Sequence, residues 1–481
     1  MKNLPEQAPG LNDLNLTYFQ NIMSINVLQY GMFALLLLTF LAGVGCRPKL
    51  GGDGRPLAVV VSGDTAGWIV PCGCATNQSG GLPRRGAYIE RLRREASVVV
   101  FDAGGAPAGN SPYDRTKFEA ILVGEMLMDI AAHNVGAAEA QLGADELRRL
   151  AAIKNAPLIS ANVLDAADRP VAEQLRIVEA AGRRLAVVGV LSRRYATGQI
   201  HVKPPRQAIL ETLRQAAGRY DWLIVLAYLP EEELRELAES LPEADAIVGG
   251  PTGQPVPPRR IGPVFLTSAA NKGKFLARLD VPHSDSSGGW TGSIVELDEG
   301  YADDPHQTAN IEEFRRELAR RDFTPEQTSL ADPLPANLPK NFAVAGTDAC
   351  QKCHEDDCSL WRKSKHALAW NSLKQKGAWF DPDCQRCHTT GYGLPGGFAS
   401  VQSGGRLTDV GCENCHGPSQ GHVKDPKTFT AYYARAKDRC VSCHDRENSP
   451  KFNYDKYWAQ IVHGESPEPQ DAGAVENEKG D

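Results

Sequence analysis

Methionine is scarce in this chain, and what there is sits early: five residues, at 1, 23, 32, 126 and 128. No thioether is therefore available as a metal ligand beyond residue 128. Charge bias is lacking as well, since 52 basic and 59 acidic residues leave a net charge of −7. Nothing in that balance points to nucleic-acid binding. The 481 residues, 42% of them hydrophobic, are enough for two globular domains. Histidine numbers only eleven, and seven of these lie beyond residue 350.

What is present there is a repeat. Cys-x-x-Cys-His occurs four times, as Cys350-Gln-Lys-Cys353-His354, Cys384-Gln-Arg-Cys387-His388, Cys412-Glu-Asn-Cys415-His416 and Cys440-Val-Ser-Cys443-His444. In each copy the two thiols are placed to add to the vinyl groups of a haem, and the adjacent His to ligate its iron from the proximal side. Zinc also takes Cys-x-x-Cys pairs, but it does not require His directly after the second Cys. The reading is four covalently attached c-type haems. Successive motifs begin 34, 28 and 28 residues apart, too little chain to wrap each haem in a domain of its own. The four must share one core poor in polypeptide.

Three further histidines could reach the opposite faces of the irons: His366, in Trp361-Arg-Lys-Ser-Lys-His-Ala-Leu; His422, in a Gly-Pro-rich loop after the third motif; and His463, closing Tyr457-Trp-Ala-Gln-Ile-Val-His. Each taken singly reads equally well as an ordinary surface residue. As a set beside four irons they read as distal ligands, and three ligands leave one iron to be completed otherwise or left open.

This stretch, from Ala343 to Gly464, resembles the tetrahaem cytochrome family of nitrifying bacteria, which accepts electrons from hydroxylamine oxidoreductase. The resemblance rests on the four motifs, on Trp361 to Ala367, on Cys412-Glu-Asn-Cys-His-Gly-Pro and on the closing His-Gly. It implies three haems with two His ligands each and one five-coordinate haem, assigned to His388.

Residues Ile25 to Gly45 form an apolar run ending in Gly45-Cys46. Such a segment is an export signal or a single anchor. Cys46 suggests a lipoprotein processing site, and Met23 an alternative start. Lipidation and an uncleaved anchor both tether the chain outside the cytoplasmic membrane, in the periplasm or at the cell surface, where c-type haems are attached. Eight cysteines belong to the haem motifs and one to the lipid site, leaving Cys72, Cys74 and Cys358. That is not a disulfide framework.

From 57 to 297, apolar runs such as Leu57-Ala-Val-Val-Val-Ser, Ser97-Val-Val-Val-Phe-Asp and Trp222-Leu-Ile-Val-Leu-Ala alternate with helical stretches. They predict buried strands covered on both faces by helices, an α/β class. Gly63-Asp64-Thr-Ala-Gly, Gly80-Gly-Leu-Pro-Arg-Arg-Gly, Phe101-Asp102-Ala-Gly-Gly and Ile247-Val-Gly-Gly resemble, in order, the metallophosphatase domain of 5'-nucleotidases. That family holds two divalent metals on Asp, His and Asn ligands. Here Asp64 and Asp102 stand alone: the other ligand positions read Ala66, Gly105, Ala137, Ala138, Tyr228, Pro251 and Gly253. Two isolated carboxylates cannot hold a two-metal centre.

The expected architecture is an α/β metallophosphatase-like sandwich, then a linker over 298–342, a mostly α, haem-packed tetrahaem domain over 343–464 and an acidic tail over 465–481. Residues 1–46 supply the signal or anchor. The pair Cys72 and Cys74 could bind a soft metal, act as a redox dithiol or be inert, and Arg84 with Arg85 could offer an anion site. The expected role is electron transfer between a redox donor and acceptor. A haem enzyme acting on a small nitrogen or oxygen ligand, or a hydrolase with an attached cytochrome domain, remain alternatives.

Overall fold

Leu57–Ser62 is buried along its whole length, and its Val59, Val60 and Val61 favour extended backbone because branching at Cβ restricts χ1. Successive side chains of a strand point to opposite faces. Ala58 and Val60 enter one apolar core with the helices, while Leu57, Val59 and Val61 enter a second. In the computed structural model this second core is the space between two sheets. The structure describes residues 55–71, 78–154, 156–282, 289–334, 336–403 and 405–463.

The first sheet runs through Thr291–Glu296, Phe275–Asp280, Leu57–Ser62, Ser97–Asp102, Ile130–Asn134 and Leu158–Ile159. Leu57–Ser62 pairs in parallel with Ser97–Asp102 from Leu57↔Ser97 to Ser62↔Asp102, and antiparallel with Phe275–Asp280 on its other side. The second sheet runs through Val256–Ile261, Val264–Ser268, Ala246–Gly250, Trp222–Tyr228, Arg183–Leu191 and Arg176–Ala180. Its alternation repeats that of the first: Leu185, Val187, Ile224 and Leu226 face the other sheet, whereas Ala186, Val188, Val225 and Ile247 face the helices Pro205–Arg214 and Glu231–Ser240. The layers are helix, sheet, sheet, helix, an α/β sandwich. Here the expectation of helices on both strand faces needs correction. Each sheet has helices on one face and the opposing sheet on the other, which continuous apolar runs do not distinguish.

The segment 298–342, read as a charged helical piece from Tyr301 followed by a Pro-rich linker, carries the helix Pro305–Arg321, whose Ile311, Phe314 and Leu318 are buried in the core of the first helical layer. Asp304 caps its start by accepting from Gln307 N at 2.9 Å. Asp322 ends it in the left-handed region, at φ 45°, and its carboxylate accepts from Val401 N and Gln402 N, both at 2.9 Å.

Beyond it the chain becomes a set of short helices, none longer than Glu355–Arg362 among the described α-helices there. The apolar core of this region is small. Trp370, Leu373 and Phe398 are buried against Trp379, Tyr392, Val401 and Leu407. So little buried apolar surface would not stabilise some 120 residues by itself. No helix among the described residues is long and apolar enough to cross a membrane, and the apolar run at 25–45 lies outside them.

Candidate haem centres

Each motif sits on or beside a helical turn, which brings its two cysteines and its His to one side of the chain. The second occupies Pro382–His388, capped by Asp381, whose side chain accepts from Asp383 N at 3.0 Å. The third occupies Cys412–His416, while the first and fourth span Thr347–Gln351 and the 3-10 stretch Tyr433–Ser442 with the turns that follow.

The three spare histidines lie against three of the motif histidines. Ring centroids are 6.3 Å apart for His354 and His422, 6.2 Å for His366 and His444, and 5.8 Å for His416 and His463. Two imidazoles bound to opposite faces of one metal, each through a metal–nitrogen bond of about 2 Å, place their centroids about 6 Å apart. The donor set therefore fits an iron between each pair.

The outward nitrogens are held by the protein. His422 Nδ1 lies 2.7 Å from Thr428 O, His463 Nδ1 2.8 Å from Ile461 O, His444 Nδ1 2.9 Å from Ser449 Oγ and His388 Nδ1 2.9 Å from Ala369 O. A partner on Nδ1 fixes the tautomer that leaves Nε2 for a metal. Burial pulls His366, His416 and His444 below the ordinary imidazole range, favouring the neutral, ligating form.

Thiols of different motifs also meet. Cys350 lies beside Cys412, and Cys387 beside Cys443. Motif one is thus joined to motif three, and motif two to motif four. Cys358, outside every motif, is buried against Cys412, and that burial pushes its thiol up. Around the motifs, Leu368, Phe429 and Val441 are exposed apolar side chains that suit contact with a macrocycle.

At the other candidate site, Asp64 and Asp102 are present but engaged. Tyr228 fills the space between the loops: its ring packs where a Cβ on Gly105 would fall, 2.5 Å away, and its hydroxyl donates to Asp64 Oδ1 at 3.4 Å. Burial, assisted by Asp64, pushes the Tyr228 phenol far above its ordinary value, so it remains a donor. Asp102 accepts from Ser62 Oγ at 2.6 Å and Gly104 N at 2.8 Å, with Arg85 Nη1 at 3.8 Å. Glu139 accepts from Ala106 N at 2.8 Å and from Gly105 N and Gly136 N at 3.1 Å.

One group of carboxylate and imidazole atoms among the described residues is close enough to suggest a cation: Asp102, Glu125 and His133, within 4.8 Å and fully buried. His133 bridges Glu125 Oε2 at 2.8 Å and Glu139 Oε1 at 3.1 Å. Arg85 stands by Asp102, so positive charge is supplied by side chains already. The anion patch expected at Arg84 and Arg85 is not formed. Arg85 is buried on Ser62, Thr65 and Asp102, and Arg84 binds the carbonyls of Gln78 and Leu297. Cys46, Cys72 and Cys74 lie outside the described residues.

Comparison with known proteins follows this division. Residues 349–417, which hold the first three motifs, match the family described as Cytochrome c554 and c-prime. Cytochrome c-554 of Nitrosomonas europaea is 30% identical over 148 residues, covering 24% of this chain and 63% of that protein. The chain thus spans less than two thirds of that relative's length. A 5'-nucleotidase precursor from Thermus thermophilus is similar in structure, with a TM-score of 0.48, 19% identity, and coverage of 56% of this chain and 60% of that one. YfkN, a calcineurin-like phosphoesterase of Bacillus subtilis, gives 0.47 and 18%, covering 55% of this chain and 97% of its own. The C-terminal region is thus similar to the cytochrome c554 family, and it follows the α/β domain.

Proposed function

We propose that this protein is an extracytoplasmic, membrane-tethered electron carrier holding four c-type haems, with an α/β domain that no longer hydrolyses phosphate esters. The observation that carries the reading is the set of three His–His pairs at 5.8 to 6.3 Å, one for each spare histidine. His354 with His422, His416 with His463 and His444 with His366 would each hold an iron from both sides. The spare imidazoles are then all committed, which assigns the iron of His388 as the one they do not complete. When bound, the haems supply one-electron chemistry, and two imidazoles per iron favour low potential over what Met ligation gives.

The chain's own part is to hold the macrocycles close. The contacts of Cys350 with Cys412 and of Cys387 with Cys443 support two tight haem pairs, short steps for an electron entering from a redox donor and leaving to an acceptor. Thr428, Ile461, Ser449 and Ala369 fix the imidazole orientations and so limit rearrangement on reduction. A tether at Cys46, or the apolar run before it, would keep the domain on the outer side of the membrane.

A second reading, reaction of a small nitrogen or oxygen ligand at the His388 iron, follows from the same count of ligands. Intact mass after acid and organic extraction tests the first reading. Four retained haems are expected, and two or fewer in a host competent for haem attachment would overturn it. Cys46→Ala should leave an unprocessed precursor that takes up no labelled fatty acid.

A further inference from the structure

The α/β domain meets the cytochrome domain at two charged contacts, and they fall beside the second and fourth motifs. Helix Pro112–Leu127 presents Tyr113 and Lys117 to the turn that starts the second motif. Tyr113 hydroxyl donates to Asp381 Oδ1 at 2.6 Å and to Asp383 Oδ2 at 3.2 Å, while Lys117 Nζ ion-pairs with Asp383. Asp381 caps the helix carrying Cys384, Cys387 and His388, and Asp383 directly precedes Cys384. At the fourth motif, Glu447 pairs with Lys272, lies 3.7 Å from Lys274 Nζ and accepts from Gln78 Nε2 at its carbonyl, at 2.7 Å.

The two contacts differ in what they can do. The Lys117 side chain is 6% exposed and that of Lys272 is 39% exposed, whereas their partners Asp383 and Glu447 are alike at 37% and 34%, so the difference lies in the lysines. A charge at the wet surface is screened, whereas one enclosed at an interface acts across low dielectric on whatever lies nearby. Lys117 is the positive charge that offsets two carboxylates crowded against the motif. Burial, with Asp381 beside it, holds the Tyr113 phenol far above its ordinary value, so it stays a neutral donor.

We propose that Lys117 of the α/β domain is a positioning residue for the haem attached at Cys384 and Cys387, raising its reduction potential by neutralising Asp383 and holding the capped helix in place. The domain that has lost its metal ligands thereby sets the electron affinity of one haem of the neighbouring domain. This rests on the reading of the C-terminal region as a four-haem carrier. Removing the ammonium leaves an uncompensated carboxylate next to Cys384, and negative charge near a haem favours its ferric state, so the potential would fall.

The test is a potentiometric titration of the full haem-loaded chain, followed in the visible haem bands, for wild type and variants. In Lys117→Met one of the four components should move to lower potential. Lys117→Arg should restore it, and so should Asp383→Asn added to Lys117→Met, because that pair removes both charges. Lys272→Met should leave the potentials in place. No displaced component in Lys117→Met overturns the proposal. So does displacement of all four together without rescue by Arg, which would mark general loosening of the interface. The haem count of wild type separates the two levels: fewer than four haems overturns the carrier reading and this inference with it, whereas four haems and an unmoved titration overturn this inference alone.

Discussion

His366 and His444 face each other with ring centroids 6.2 Å apart and planes inclined by 41°, although they come from different helical turns distant in the chain. The relationship makes ligand loss specific to one iron. His366→Ala should open the iron held by His444, His422→Ala that of His354, and His463→Ala that of His416. Each variant should add one haem equivalent of high-spin signal to the electron paramagnetic resonance spectrum of the oxidised protein, while His133→Gln and His201→Ala add none. A variant of His366 whose spectrum stays as in wild type would remove the pairing.

The α/β domain should hydrolyse neither a nucleoside monophosphate nor a chromogenic phosphate ester, with manganese supplied. Asp64 faces Tyr228, and Asp102 is taken up by Ser62, Gly104 and Arg85, which leaves no free pair of carboxylates for a two-metal centre. Asp64→Asn should leave phosphate release at the background of the assay. Turnover by purified wild type that disappears in Asp64→Asn would reverse this account.

Much of this was legible because covalent haem attachment demands a fixed local pattern. The four Cys-x-x-Cys-His copies and the three spare histidines are visible as residues, and so are Ala66, Gly105 and Tyr228 at positions where the resemblance expects metal ligands. Which histidine meets which depends on how turns far apart in sequence fold over one another, and spacing carries no such information. His422, expected in a loop, stands in the short helix Gln420–Lys424. The contact of Tyr113 and Lys117 with Asp381 and Asp383 was equally hidden. Lys117 and Tyr113 stand on a helix that also carries Asp114, Arg115, Glu119 and Glu125, and nothing in that pattern marks which of its charges faces another domain. A sandwich is expected from the resemblance, but the placing of helices on both faces of each strand fails for a different reason: strands buried by helices and strands buried by another sheet have the same apolar composition.

His133 makes one contribution to stability that pH can read. Burial opposes its charged form, but Glu125 and Glu139 outweigh that and hold the imidazole well above its ordinary range. A group whose folded value exceeds its unfolded one stabilises fully below the unfolded value, about 6.5, and loses that contribution as pH rises through the folded value. The part of the unfolding temperature that depends on His133 should therefore decline on the alkaline side. His133→Ala would leave two buried carboxylates facing each other, a cost of about 3 to 5 kcal/mol. Thermal unfolding across pH, wild type against His133→Ala, measures this. Once the two carboxylates of the variant are ionised, a difference that still grows as pH rises through the alkaline limb would contradict the assignment.

Glu413 lies inside the third motif yet acts as a structural tie to the first. Its buried carboxylate accepts from Ala345 N at 2.9 Å, Gly346 N at 2.8 Å and Ser419 N at 2.7 Å. Two of these donors lead into the helix bearing Cys350, whose thiol touches Cys412. Glu413→Ala strands three backbone donors in a region with little apolar core to offset the loss, and should destabilise by about 2 to 5 kcal/mol. Glu413→Gln puts an NH2 group where one of the accepting oxygens stands, so it should recover only part. Denaturant unfolding followed by tryptophan fluorescence, together with haem content, reads the effect. An Ala variant within about 0.5 kcal/mol of wild type, the range of neutral surface changes, would mean that the two motifs are held together by their haems and not by this carboxylate.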